Sequence, residues 1–155
     1  MSDVLQAIYR GDREGAERLA AGRDLDVFEA AALGDTARLA ELLDADPELA
    51  NAWAEDGFQP LGLACFFGHV DAARLLVERG AEVNSASRNQ MQVMPLHSAA
   101  ATGDPDARYR LAELLLAAGA DANAKQQDEF TPLQAADQSG DTRLRDLLTQ
   151  HGATD

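Results

Sequence analysis

Cysteine, aromatic residues, basic residues and long apolar runs are all scarce in this chain, and each scarcity narrows what it does. The single cysteine, Cys65, leaves no intrachain disulfide, so the staples that small secreted domains rely on are missing. Lys and Arg number 13 against 27 for Asp and Glu, a net charge of −14. Affinity for phosphate backbones and anionic lipid rests on clusters of Lys and Arg, so this balance argues against nucleic acid and membrane surfaces as partners. No apolar run approaches the roughly 20 residues of a membrane span. The opening MSDVLQAIYRGD has neither the basic start nor the apolar core of a secretory signal. Together these features predict a soluble, cytoplasmic chain. One tryptophan, two tyrosines and five phenylalanines make up the whole aromatic set, so the place of each carries information.

What the chain has is alanine and leucine. The apolar share is 46%, with few β-branched residues, a mix that favours helices over strands. A length of 155 residues suits one domain with a real core. Residues 56–84, DGFQPLGLACFFGHVDAARLLVERGAEVN, read as a loop, a short helix opening at Pro60, a break at Gly68, a longer helix and a break at Gly80. Fragments of this stretch recur as VMPLHSAAATGD, FTPLQAADQSGD, GADAN and EAAALGDTARLAELL. Pro60, Pro95 and Pro132 lie 35 and 37 residues apart, each eight residues before a glycine (Gly68, Gly103, Gly140). A period of this size means a solenoid, in which each unit buries its apolar face against its neighbours.

These motifs resemble the ankyrin repeat, whose pattern runs DxxGxTPLHxAAxxGH, then a helix, then LLxxGADVN. The match is close in PLGLACFFGH…LLVERGAEVN, in MPLHSAA…LLLAAGADAN and in FTPLQAADQSGD…LLTQHGATD, and looser in DVFEAAALGDTARLAELL. The resemblance, to a bacterial-type protein of about four repeats, implies an all-α fold: an ankyrin-type solenoid of stacked helix-turn-helix repeats with projecting loops. It implies a single domain over residues 1–155. An N-terminal cap at 1–24 is followed by repeats at 25–52, 53–84 and 85–123 and a C-terminal capping repeat at 124–155.

Several local signals sharpen this outline. Asp3 followed by Gln6 predicts a capped helix opening at Val4. Asn51, Asn84 and Asn123 end successive units, where the family's Asn ties down the projecting loop through backbone hydrogen bonds. Gly62 stands where the family has His and costs a helix interior about 1 kcal/mol relative to Ala. Phe28 holds the same place one unit earlier, so Gly62 is expected to be small in order to admit the Phe28 ring. The 85–123 unit is enlarged twice. Asn84 to Pro95 takes 11 residues where its neighbours take nine, and Gly103 to Gly119 takes 16 where they take 12. Four extra residues are about one helical turn, on which Tyr109 is expected.

Chemistry is harder to find. Cys65 and His69 lie four apart with His97 in the next unit, a spacing that invites a metal or thiol site. However, Gly68 breaks the helix between them, and Cys65 replaces the second Ala of the family's tightly packed pair. Both histidines fall where the family has hydrogen-bonding His. The expectation is an inert thiol, no metal and no cofactor. Asp35, Glu55, Asp56, Asp104, Asp128, Glu129 and Asp141 lie at loop tips or helix starts, where Asp caps and complements the dipole. No Gly-rich phosphate loop, HExxH pattern or Ser/His/Asp order is present, so no enzyme is expected.

In ankyrin repeats, partners are met by the loop tips and the end of the first helix. Carried over residue by residue, those positions are Trp53, Glu55, Asp56, Phe58, Phe66 and Phe67, then Arg88, Gln90 and Met91, then Gln127 and Phe130. Tyr9, Ser87, Val93, Ala101 and Thr102 flank them. Aromatic anchors are what binding hot spots use. The function implied is a monomeric protein-binding module or adaptor acting through its concave face, its partner another protein with a basic surface. Arg88 is the basic group expected to meet a partner carboxylate. The alternative is an enzyme or small-molecule binder with an aromatic-lined pocket in the concave groove, which a closed pocket beside Trp53 and Arg88 would favour. For Phe58, Phe130 and one of Phe66 and Phe67 the competing reading is packing between neighbouring units.

Overall fold

Proline, aspartate and serine decide where the helices start. The computed structural model describes residues 1–154, which fold as α1 (Asp3–Tyr9), α2 (Arg13–Ala20), α3 (Val27–Leu33), α4 (Thr36–Ala45), α5 (Pro60–Phe66), α6 (Val70–Glu78), α7 (Pro95–Ala101), α8 (Pro105–Ala117), α9 (Pro132–Ser139) and α10 (Thr142–Gln150). They form successive pairs, with no strand among the described residues. α5, α7 and α9 begin on the periodic prolines, which suit a first turn because its N–H groups have no helical partner. Asp12, Asp35, Asp104 and Asp141 cap α2, α4, α8 and α10, each accepting a first-turn N–H. Part of the chain's acid therefore completes helices. At the N-terminus the expected cap moves by one residue. Ser2 is the cap, its hydroxyl accepting from the Leu5 N–H at 3.2 Å, and α1 starts at Asp3. Asp3 sits in the first turn, where a carboxylate still complements the dipole.

The first helix of each pair stacks on the next, α1 on α3, α3 on α5, α5 on α7 and α7 on α9, while α4, α6, α8 and α10 form an outer row. Leu39, Leu43, Leu61, Leu76, Leu96, Leu111, Leu115, Leu144 and Leu148 are fully buried between the rows. Ala30, Ala31, Ala64, Cys65, Ala99, Ala100 and Ala136 are buried on the inner helices, where small side chains let neighbours approach. This is an ankyrin-type solenoid, held unit against unit. The buried acid Glu29 closes a reciprocal capping box with Asp26 at 3.0 and 2.8 Å, leaving its Oε2 without a partner among the described residues.

Asparagines fasten the units. Asn51, Asn84 and Asn123 donate from Nδ2 to the carbonyls of Gly80, Gly119 and Gly152 at 3.0, 3.0 and 2.9 Å. Their Oδ1 atoms accept from the N–H groups of Glu82, Asp121 and Thr154 at 2.8, 2.8 and 2.9 Å. Each asparagine thus holds the turn that ends the following helix pair. The lengthened α8 has 13 residues against nine in α6 and α10. Its Arg108 donates to the Thr102 carbonyl at 2.5 Å and pairs with Asp141 at 3.5 Å, and Tyr109 lies 4.2 Å beneath the Arg143 guanidinium. These contacts dock α8 on the last pair.

Candidate partner-binding groove

An apolar hollow of about 300 Å³ opens on the side of the loops and inner helices. Phe58 and Phe130 stand on the loops entering α5 and α9, Met91 and Val93 on the loop entering α7, Phe66 at the end of α5 and Tyr9 at the end of α1. Leu63, Ala101 and Ala135 complete the apolar wall, and His97, Ser98 and Gln126 are its polar members. Phe66 and Met91 are 47% and 49% exposed, two large apolar side chains facing water around one hollow. Large clustered apolar exposure is what distinguishes interaction surfaces, whereas single exposed apolar residues need no explanation.

Gly62 opens the hollow. A Cβ added there would meet no atom within 4 Å, so the expected fit against Phe28 does not occur. Phe28 lies instead beside Trp53, Met1 and Leu5. Phe28 and Gly62 both stand six residues before the glycine that ends their helix, so they hold the same place in successive units without meeting. His97 and Gln134 occupy the position of Gly62 in α7 and α9.

The residues carried over from the repeat pattern fall on four places. Phe58, Phe66, Met91 and Phe130 share the hollow, with Tyr9. Trp53, Glu55 and Asp56 border a second, more open recess with Phe28. There the Arg88 guanidinium lies 3.9 Å from the Trp53 ring centroid, a cation–π contact that engages Arg88 within the chain. Glu55 accepts from the Met1 amino group at 3.0 Å, which holds its carboxyl below the usual range. Asp56 accepts from the Tyr9 hydroxyl at 2.8 Å, and burial together with that carboxylate raises the tyrosine's pKa. Phe67 packs on the core near Ile8, Ala32 and His69, edge-on to Phe66 at 5.0 Å. Gln90 and Gln127 are exposed on the loops, where the Gln127 N–H donates to the Met91 carbonyl at 2.9 Å.

The loops also bind each other. The Arg88 N–H donates to the Gly57 carbonyl at 2.8 Å and Asn89 Nδ2 to the Asp56 carbonyl at 3.1 Å. A Cβ on Gly57, at φ +87°, would lie 2.5 Å from the Arg88 oxygen, so this approach requires glycine. Ser87 and Thr102, placed among the flanking contact positions by the repeat pattern, are buried. Ser87 Oγ donates to Asn89 Oδ1 at 2.9 Å and accepts from the Val93 N–H at 2.9 Å, bracing the enlarged loop from within. What sequence reasoning missed is Gly62 as an opening. A glycine inside a helix was the one available signal.

The titratable groups are occupied. His97 Nδ1 accepts from the Met94 N–H at 3.3 Å, so Nε2 carries the proton and donates to the carbonyls of Ala124 and Phe130 at 3.0 and 3.1 Å. Burial lowers its pKa, as it does for His69, which bonds the Ala32 carbonyl at 2.8 Å. Cys65 is wholly buried, and burial pushes its thiol up, away from the reactive thiolate. Among the described residues no three His, Cys, Asp or Glu side chains gather as metal ligands, and no helix is long and apolar enough to cross a membrane.

Stacked helix pairs, projecting loops and asparagine clamps define a class, and the family comparison agrees. Three ankyrin repeats match over residues 5–126, and the chain belongs to the ankyrin-repeat family. It is 33% identical over 143 residues to "Ankyrin repeat, SAM and basic leucine zipper domain-containing protein 1" of Ornithorhynchus anatinus, covering 92% of this chain and 29% of that protein. It is 32% identical over 128 residues to Inversin of Gallus gallus, covering 83% of this chain and 11% of that one. The chain therefore spans less than a third of either relative. Ankyrin repeats are in general protein-interaction modules rather than enzymes.

Proposed function

We propose that this chain is a protein-binding module that takes its partner in the apolar hollow and along the loops beside it. The observation that carries the reading is the pair Phe66 and Met91, each about half exposed around a hollow that no side chain among the described residues fills. An excess of 27 acids over 13 bases favours a partner with a basic surface, toward which steering raises the association rate. A cytoplasmic, monomeric adaptor is the setting this suits. The small-molecule alternative draws less support. The hollow is at the small end of ligand sites, and both titratable groups on its wall, Tyr9 and His97, are already committed to Asp56 and to loop carbonyls. The test is affinity capture from the native host with the intact protein and with a Phe66→Ala, Met91→Ala double variant. A protein retained by the first and lost by the second, with unfolding midpoints alike, supports the reading. Equal retention by both overturns it.

A further inference from the structure

Two departures from the repeat pattern meet at one place. The first is Gly62, in the helix interior, where glycine is the poorest residue short of proline. Nothing packs where its side chain would stand, and the hollow lies there instead. The second is the longer loop between Asn84 and Pro95, which brings Met91 and Val93 to the hollow's wall. One unit further on, the imidazole of His97 ties the loop stem by bonding the Ala124 and Phe130 carbonyls. α5 has no such imidazole. The enlarged loop is braced instead by Ser87 and Asn89, through bonds to each other, to Val93, to Met91 and to Asp56. Bonds within the enlarged loop thus supply bracing that a side chain at position 62 would otherwise give.

Acids outnumber bases on the loop tips to either side. These carry Glu55, Asp56, Asp128 and Glu129, of which Glu55 is paired with the Met1 amino group at 3.0 Å and Glu129 with Lys125 at 3.6 Å, while Asp56 accepts from Tyr9 and Arg88 lies on Trp53. Among the described residues no charged side chain lines the hollow itself.

Resting on the reading of the groove as a partner surface, we infer that the hollow above Gly62 is an anchor pocket for one large apolar side chain of a protein partner, in a segment with Lys or Arg on both sides. The apolar walls of Leu63, Phe66, Met91 and Phe130 take the side chain, and the acidic loop tips take the flanking cations.

The test uses acetylated, amidated peptides with sequence GSKKxKKSG, where x is Phe, Leu or Ala, titrated into methyl-labelled protein. With x as Phe or Leu, the methyl resonances of Leu63, Met91, Val93 and Ala101 shift saturably. With x as Ala, binding weakens at least about tenfold, as loss of an anchor does. Glu in place of the four Lys weakens it comparably. Gly62→Leu fills the hollow and removes binding while keeping or raising the unfolding midpoint. Should Gly62→Leu not fold, Gly62→Gln takes its place, since α9 carries Gln134 at this position. The inference is overturned by no shift at these methyls up to about 5 mM peptide, above the range of weak specific contacts. Undiminished binding to the folded Gly62 variant overturns it as well. So does equal binding of N-acetyl-phenylalaninamide, which assigns the hollow to a small ligand. Shifts of the same methyls with protein concentration alone assign it to a second copy and have the same effect. A Gly62→Leu variant that keeps a partner lost by the Phe66→Ala, Met91→Ala variant sinks the anchor and leaves the wider reading standing.

Discussion

Asn84 holds the turn at Gly119 from both ends of its amide: Nδ2 donates to the Gly119 carbonyl at 3.0 Å, and Oδ1 accepts from the Asp121 N–H at 2.8 Å. The bond pair joins one unit to the next across 35 residues of chain. Each hydrogen bond is worth about 0.5–1.5 kcal/mol net. Asn84→Ala is therefore expected to destabilise by about 1–3 kcal/mol in urea unfolding. Asn84→Asp keeps the acceptor but sets a carboxylate oxygen against the Gly119 carbonyl, so it is not expected to restore the clamp. An alanine variant as stable as the parent would show that the clamp follows packing rather than supporting it.

The asparagines were visible in the sequence as unit endings, and so were the helix starts on proline and aspartate and the inner leucine pairs. Their signals are local and repeat with the period. The site was only partly visible. Position in the repeat puts Phe66, Phe67 and Met91 among the candidate contacts, but it does not decide which of the two adjacent phenylalanines packs inward, since that depends on what the neighbouring unit presents. Gly62 could not be read, since what a missing Cβ leaves open depends on atoms more than 20 residues away. The stacking of Arg88 on Trp53 has no sequence signal, because it joins two loops whose approach depends on Gly57 having no side chain. The burial of Ser87 is hidden for a different reason: its partners Asn89 and Val93 belong to the enlarged loop, for which the period gives no register.

Gly34 shows the opposite demand from Gly62. Its φ is +74°, and a Cβ there would lie 2.5 Å from Nδ1 of His69, whose Nε2 is fixed on the Ala32 carbonyl. Gly34→Ala strains the backbone and displaces that ring. A loss of about 1–3 kcal/mol is expected, in the range of a residue forced into a sparsely populated conformation. Calorimetry beside Gly62→Ala gives the contrast: the first lowers the melting temperature and the second leaves it level or raises it.

His97 makes stability depend on pH. Burial lowers its folded pKa below the ordinary value of 6.5, so over the interval between the two values the unfolded chain binds more protons than the folded one. Its contribution is complete above pH 6.5 and is lost as pH falls through the lowered folded value. His97→Gln keeps a side-chain donor and cannot titrate. Urea midpoints measured at several values between about pH 7.5 and 5 are expected to fall more for the parent than for the variant. Parallel decline would show that the other histidines and the carboxylates set the whole slope.

Phe66 and Phe67 are adjacent in sequence and their rings meet edge to face at 5.0 Å, yet they are expected to behave differently. Phe67 packs on the core, near Tyr9 at 5.8 Å and beside Ile8, Ala32 and His69, whereas Phe66 is 47% exposed at the rim of the hollow. Fully burying a large apolar side chain is worth about 1.5–3 kcal/mol. Phe67→Ala, at a half-buried site that also loses two ring contacts, is expected to destabilise by about 1–3 kcal/mol. Phe66→Ala, with its ring about half exposed, is expected to cost less than Phe67→Ala, about 1 kcal/mol or below. Its cost is expected in binding instead, where truncating a central anchor weakens affinity by about 2 kcal/mol or more. Denaturant unfolding and a titration with the Phe-centred basic peptide separate the two effects. If Phe66→Ala unfolds as readily as Phe67→Ala and binds as the parent does, the Phe66 ring belongs to the core and the groove loses its anchor.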